Sequence, residues 1–230
     1  MAIKPVILLY LPEGTESLNN VKTSVKLSEG FSFTATYPRP HEETADTISW
    51  EVGSVSKDGT VTLSCGNSRA KCAYLFWEFT GNSQSLVIGI PALFSDPSST
   101  MLTDGAHAAE FLAALLDALG LTPRERDDMV TYWLHSVQGA KHLLVRVVKQ
   151  EDLASCAALN VEVKGKEEKG VAVSIHRVYL LLHPCDRVEE AAAAKMLREP
   201  RVPENVSGEF PIVRDPSKLI VVEWGGVLLF

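Results

Sequence analysis

Two carboxylates stand beside tryptophans inside otherwise apolar stretches: Trp77-Glu78 in Tyr74-Leu75-Phe76-Trp77-Glu78, and Glu223-Trp224 in Val221-Val222-Glu223-Trp224-Gly225-Gly226. Both stretches have strand composition, and neighbours on a strand point to opposite faces. One member of each pair can therefore enter the core while the other looks outward. If Glu78 and Glu223 project into one cleft, they can hold a polar ligand. If their environments drive their ionisations apart, they can instead serve as acid and base, which for glycoside chemistry needs carboxyl groups roughly 5 to 10 Å apart. The structural alternative places each Trp inside and leaves each Glu in water or against an arginine. Arg146, Arg177 and Arg214 lie in or beside apolar segments and would need such partners if buried.

A second cluster, Tyr132, Trp133 and His135, falls on a helical stretch. Trp133 belongs to an apolar stripe with Met129, Val130, Leu134 and Val137. Tyr132 lies about 100° from it around the helix, and His135 about 200°, which directs His135 to the surface. No metal signature emerges: Gly139 separates His135 from His142, and His176 and His183 would point to opposite faces of one strand. The chain also lacks a Gly-x-Ser-x-Gly elbow and a glycine-rich phosphate loop. No cofactor or metal is expected.

The positioning elements follow from periodicity. Alternation over Val21–Leu27 and Phe31–Tyr37, with Ser28-Glu29-Gly30 between, predicts one hairpin. Ile48, Trp50, Val52 and Val61, Leu63 around Lys57-Asp58-Gly59 predict a second. With Pro5–Leu11, Ala73–Phe79 and Leu86–Ile90, about seven strands fall in the first hundred residues, a density that suits a sandwich. Phe111, Leu112, Leu115, Leu116 and Leu119 then form a helical stripe closed by Gly120, and Thr122-Pro123-Arg124-Glu125 is a capping box that opens the next helix. So short a link makes the two helices an antiparallel pair. Strands are expected at Leu143–Val148 and Val171–His183 with a charged turn at Lys164–Lys169. An alanine-rich helix capped by Asp186 and Glu189 should run to Pro200, followed by a loop to Pro216. A strand at Leu219–Trp224 then turns at Gly225-Gly226. The fold class is α+β, with a sandwich-like antiparallel part at 1–100 and an α+β part at 101–230, the boundary soft enough that the two can form one domain.

Composition narrows the partners. Hydrophobic residues at 46% and charged residues at 22% belong to a folded protein, and a net charge of −7 without a Lys/Arg run repels nucleic acid. The apolar windows are far shorter than the roughly 20 residues that span a bilayer. With no secretory signature at the start and four scattered cysteines, a soluble, cytoplasmic protein with free thiols is expected, a Cys65–Cys72 bridge being the alternative.

The order of these segments resembles a widespread family of mostly microbial proteins without an assigned activity. Its members begin near Lys-Pro-Val-Ile-Tyr-Leu-Tyr-Pro, matched here by Lys4-Pro5-Val6-Ile7 and departing over Leu8–Pro12. The family's Tyr-Leu-Phe-Trp-Glu, Tyr-Trp-Leu and Val-Glu-Trp-Gly-Gly segments are similar to Tyr74–Glu78, Tyr132–Leu134 and Val222–Gly226. The resemblance implies that the Trp–Glu elements belong to the pattern; it implies no reaction. Three functions are therefore expected in order. The first is a lectin-like, non-enzymatic protein holding a small polar ligand or glycan through Glu78, Glu223, Trp77, Trp224, Tyr132 and Arg177. The second is a hydrolase working through Glu78 and Glu223, and the third a scaffold for another protein.

Overall fold

The computed structural model describes residues 2–3, 5–65, 68–81, 89–164 and 170–230. Fourteen strands are found among them: β1 Ala2–Ile3, β2 Val6–Tyr10, β3 Ser17–Leu27, β4 Phe31–Tyr37, β5 Glu42–Glu43, β6 Thr47–Ser56, β7 Val61–Cys65, β8 Ser68–Cys72, β9 Leu75–Gly81, β10 Thr100–Asp104, β11 His142–Val147, β12 Ala157–Val163, β13 Val173–Cys185 and β14 Leu219–Leu228. The helices are α1 Ile90–Ser95, α2 Ala108–Ala118, α3 Pro123–Val137, α4 Gln150–Cys156 and the single turn α5 Glu190–Ala193.

An eight-stranded sheet runs in the order β10-β11-β13-β14-β2-β9-β4, with β1 paired to β14; a six-stranded sheet runs β12-β3-β6-β7-β8, with β5 paired to β6. All pairs are antiparallel except β13 with β14. Apolar side chains of the two sheets, among them Ile7, Val25, Trp50, Trp77, Tyr179 and Val221, share one core. The opposite face of the larger sheet supplies Val6, Val178, Val222 and Trp224 to a second core with the stripes of α2 and α3. The larger sheet is thus a middle layer covered on both sides, and every residue of β14 is buried.

This layering corrects several expectations. Phe31–Tyr37 does not pair with Val21–Leu27: β3 joins the smaller sheet and β4 pairs with β9 in the larger, so Ser28–Gly30 is a corner between sheets. Gly225-Gly226 does not turn the chain, because β14 runs through both. A Cβ at position 226 would lie 3.0 Å from the Leu180 carbonyl oxygen and 3.4 Å from the Trp133 ring, so the missing side chain lets α3 lie close on the sheet. The alanine-rich helix shrinks to α5, and no side chain caps it. The Leu86–Ile90 strand lies outside the described residues up to residue 88, and Ile90 opens α1; the Lys164–Lys169 turn lies outside them from residue 165.

Other local readings agree with the structure. The β6–β7 hairpin turns at Gly59 with φ +81°. Gly120 ends the first helix with φ +87°, and Thr122 and Glu125 form the reciprocal capping box of α3. Cys72 is a free thiol set opposite Val61 in the β7–β8 ladder; the side chain of Cys65 lies outside the described residues. Strands from before residue 100 and from after it share both sheets.

Candidate functional site

Alternation along β14 directs Glu223 to the core between the sheets and Trp224 to the core beneath the helices. Arg177 is the register partner of Glu223 on the parallel strand β13. Its Nε donates to Glu223 Oε2 at 2.5 Å, while Trp77 Nε1 donates to Glu223 Oε1 at 2.9 Å. Arg177 Nη1 also donates to the Ala157 carbonyl at 2.6 Å, which ties the smaller sheet to the network. Glu223 and Trp77 are 0% exposed and Arg177 is 4% exposed. Nearby, burial and then the Glu223 charge push the fully buried Tyr179 hydroxyl well above its ordinary range.

Glu78 points the other way. It follows Trp77 on β9, so it emerges on the helix-bearing face, half-buried, where its charge joins burial in raising the Tyr132 hydroxyl. The two glutamates therefore stand on opposite faces of one sheet. This overturns the carboxylate pair as a hydrolytic centre: one member is neutralised by a guanidinium and sealed between sheets. It also removes Glu223, Trp77 and Arg177 from any ligand-accessible site; they are internal cross-links.

The remaining residues of the sequence-derived set gather elsewhere. Tyr132 on α3 and Trp224 on β14 border a cavity of about 320 Å³ with Val6, Tyr74, Asp128 and Thr131. Asp128, Thr131 and Tyr132 lie within one turn of α3, and the capping box at Thr122 fixes where that turn begins. Tyr132 is held edge-on against Trp133, with ring centroids 4.8 Å apart. Tyr74, in the link between β8 and β9, is 40% exposed. His135 is on the exposed side of α3 and does not border the cavity.

Asp128 also borders an adjoining cavity of about 300 Å³ whose lining includes Tyr10, Asp58, Arg124 and Glu125. Glu125 is 2% exposed and accepts from Tyr10 Oη at 2.6 Å, Arg214 Nη2 at 2.6 Å, and the Thr122 backbone and hydroxyl at 2.7 and 2.9 Å. The Arg214 guanidinium lies 5.0 Å from the centroid of the Tyr10 ring, and burial followed by the Glu125 carboxylate raises the Tyr10 hydroxyl. This hub was not read from the sequence as more than a helix start. The capping box was its signal, but nothing local links residue 125 to residues 10 and 214. Arg146 finds neither glutamate: it donates to the Ala92 carbonyl and, at 3.3 Å, to Ser95.

Among the described residues no group of His, Cys, Asp and Glu is arranged to hold a metal ion, and no helix is long and apolar enough to cross a membrane. No family model matches the chain, and neither a curated protein nor a solved structure does.

Proposed function

We propose that the chain binds a neutral polar ligand, of the kind a glycan presents, in the cavity between Tyr74, Tyr132 and Trp224. One observation carries this reading: three aromatic side chains from three separate segments converge with the Asp128 carboxylate and the Thr131 hydroxyl on one cavity of about 320 Å³. Aromatic faces accept the apolar faces of sugar rings, and a carboxylate and a hydroxyl orient ring hydroxyls without demanding a charged partner. The net charge of −7 adds no attraction for anions, in keeping with a neutral ligand. Glu78 contributes only its field, through Tyr132.

Titration calorimetry against a panel of neutral mono- and oligosaccharides tests the reading. A binding sugar should lose about tenfold or more in affinity with Asp128→Asn or Tyr74→Ala, since a hydrogen bond to a charged group contributes ~1.5–3 kcal/mol. Both variants should keep the wild-type melting temperature, because Asp128 and Tyr74 are exposed enough to be replaced without opening the core. Absence of heat for every sugar, or affinities indifferent to both substitutions, would remove the proposal.

A further inference from the structure

The cavity between Tyr74, Tyr132 and Trp224 is the first of three that follow one another between β2 and α3. Val6, Leu8 and Tyr10 alternate along β2, so all three side chains leave the strand on the helix-bearing face. Val6 borders the first cavity with Thr131 and Tyr132, and Leu8 and Tyr10 border the second, of about 300 Å³, with Thr122 and Arg124. Tyr10 also borders the third, of about 310 Å³, again with Thr122. Residue numbers therefore rise along β2 as they fall along α3. Val6 to Tyr10 covers roughly 13 Å of strand and Thr122 to Tyr132 about 15 Å of helix, so the two walls match in length. Neighbouring cavities share side chains: Asp128 belongs to the first and second, Tyr10 and Thr122 to the second and third. The outer wall is continuous in the same order, with Tyr74 beside the first cavity and Ala73, next in the chain, beside the second.

Each cavity also repeats one chemistry, an aromatic ring beside a carboxylate and a threonine hydroxyl. The first has Tyr132, Asp128 and Thr131; the second has Tyr10, Asp58 and Thr60; the third has Tyr10, Glu13 and Thr122. The ring common to the second and third is held in place, because Tyr10 Oη donates to the buried Glu125 at 2.6 Å and the Arg214 guanidinium lies 5.0 Å from the ring centroid. A wall fixed before binding loses no freedom when a ligand arrives. Resting on the reading of the first cavity given above, we infer that the three cavities are consecutive subsites for a linear neutral oligosaccharide of at least three units. Repeated groups fit a ligand of repeated units, and sugar hydroxyls supply a donor to the carboxylate at every step without bringing charge. The first cavity, with its three aromatic residues, anchors one unit. Arg124 donates to hydroxyls of the second unit, and Glu13 accepts from the third.

Titration calorimetry of the full chain with the cello-, xylo-, manno- and N-acetylchito-oligosaccharide series, from the monosaccharide upward, tests the order of subsites. In a series that binds, affinity should rise about tenfold with each unit through the trisaccharide and then level, the gain expected from one or two neutral hydrogen bonds per unit. Arg124→Ala should weaken the disaccharide and trisaccharide about tenfold and leave the monosaccharide unchanged, whereas Glu13→Ala should weaken the trisaccharide alone. Both side chains are exposed, so both variants should melt with the wild type. A monosaccharide that binds as tightly as its trisaccharide overturns the subsites and leaves the first cavity as the binding site. A gain with chain length that ignores both substitutions overturns them too, because the added units then lie elsewhere. No heat from any member of any series removes the subsites together with the reading on which they rest.

Discussion

Burying the Glu223 carboxylate is tolerated because two donors meet its two oxygens, Arg177 Nε at 2.5 Å and Trp77 Nε1 at 2.9 Å, on strands separated by long stretches of chain. Such a pair is a weak source of net stability but a severe liability when halved. Glu223→Ala should therefore cost ~3–5 kcal/mol in urea denaturation, since it strands a guanidinium between the sheets. Replacing both partners, Glu223→Leu with Arg177→Met, should recover most of that loss; a double variant no more stable than the single one would show that the ion pair is not the source. The sequence marked residue 223 correctly as singular, a charge inside Val221–Trp224. It could not say that Glu223 and Trp224 are both buried, because alternation assigns faces without revealing whether a face meets water or another layer. Of the residues bordering the cavity beneath α3, Tyr132 and Trp224 stand out in the sequence by type, whereas Asp128 and Thr131 carry no local signal that separates them from other polar residues of that helix.

At the scale of elements, α3 is fixed at its start by Thr122 and Glu125 and at its middle by Trp133 lying against Gly226. Adding volume at that contact should lift the helix from the sheet. Gly226→Val should cost ~1–3 kcal/mol and alter the near-ultraviolet dichroism of the buried tryptophans, while secondary structure is retained. An unchanged melting temperature and spectrum would mean that α3 does not depend on the close approach. α2, α3 and the β6–β7 hairpin were readable because their signals are local: a capping box, a 3.6-residue stripe, Asp58-Gly59 in a tight turn. Two of the misread elements are ones where a local signal served a distant partner. Ser28-Glu29-Gly30 has hairpin chemistry but turns a corner between sheets, and Gly225-Gly226 has turn chemistry but clears space for an indole.

In the whole molecule, β2, β4 and β9 complete a sheet begun by β10, β11, β13 and β14, and β12 closes the smaller sheet against β3. Pairings over such separations leave no trace in a window of sequence, which is why the change of pattern near residue 100 resembles a boundary that the sheets then cross. Shared burial also sets how the fold responds to pH. Tyr179 and Tyr10 are held above the ordinary tyrosine value, burial being the first cause for each. The folded state keeps those protons while the unfolded chain releases them near pH 10, so their contribution is complete below that value and declines above it, by up to ~1.4 kcal/mol per pH unit for the fully buried Tyr179. In acid the sign reverses. Asp215, with a pKa of about 2 set first by the Ser217 hydroxyl, and Asp96, lowered first by Ser98, stay ionised in the folded state after the unfolded chain has begun to protonate. Their contribution is present above the ordinary aspartate value of 3.8 and is lost as pH falls toward 2. Melting temperatures followed from pH 3 to 11 should therefore fall at both ends. Tyr179→Phe should flatten the alkaline side alone, and an alkaline decline equally steep in that variant would place its origin outside the core between the sheets.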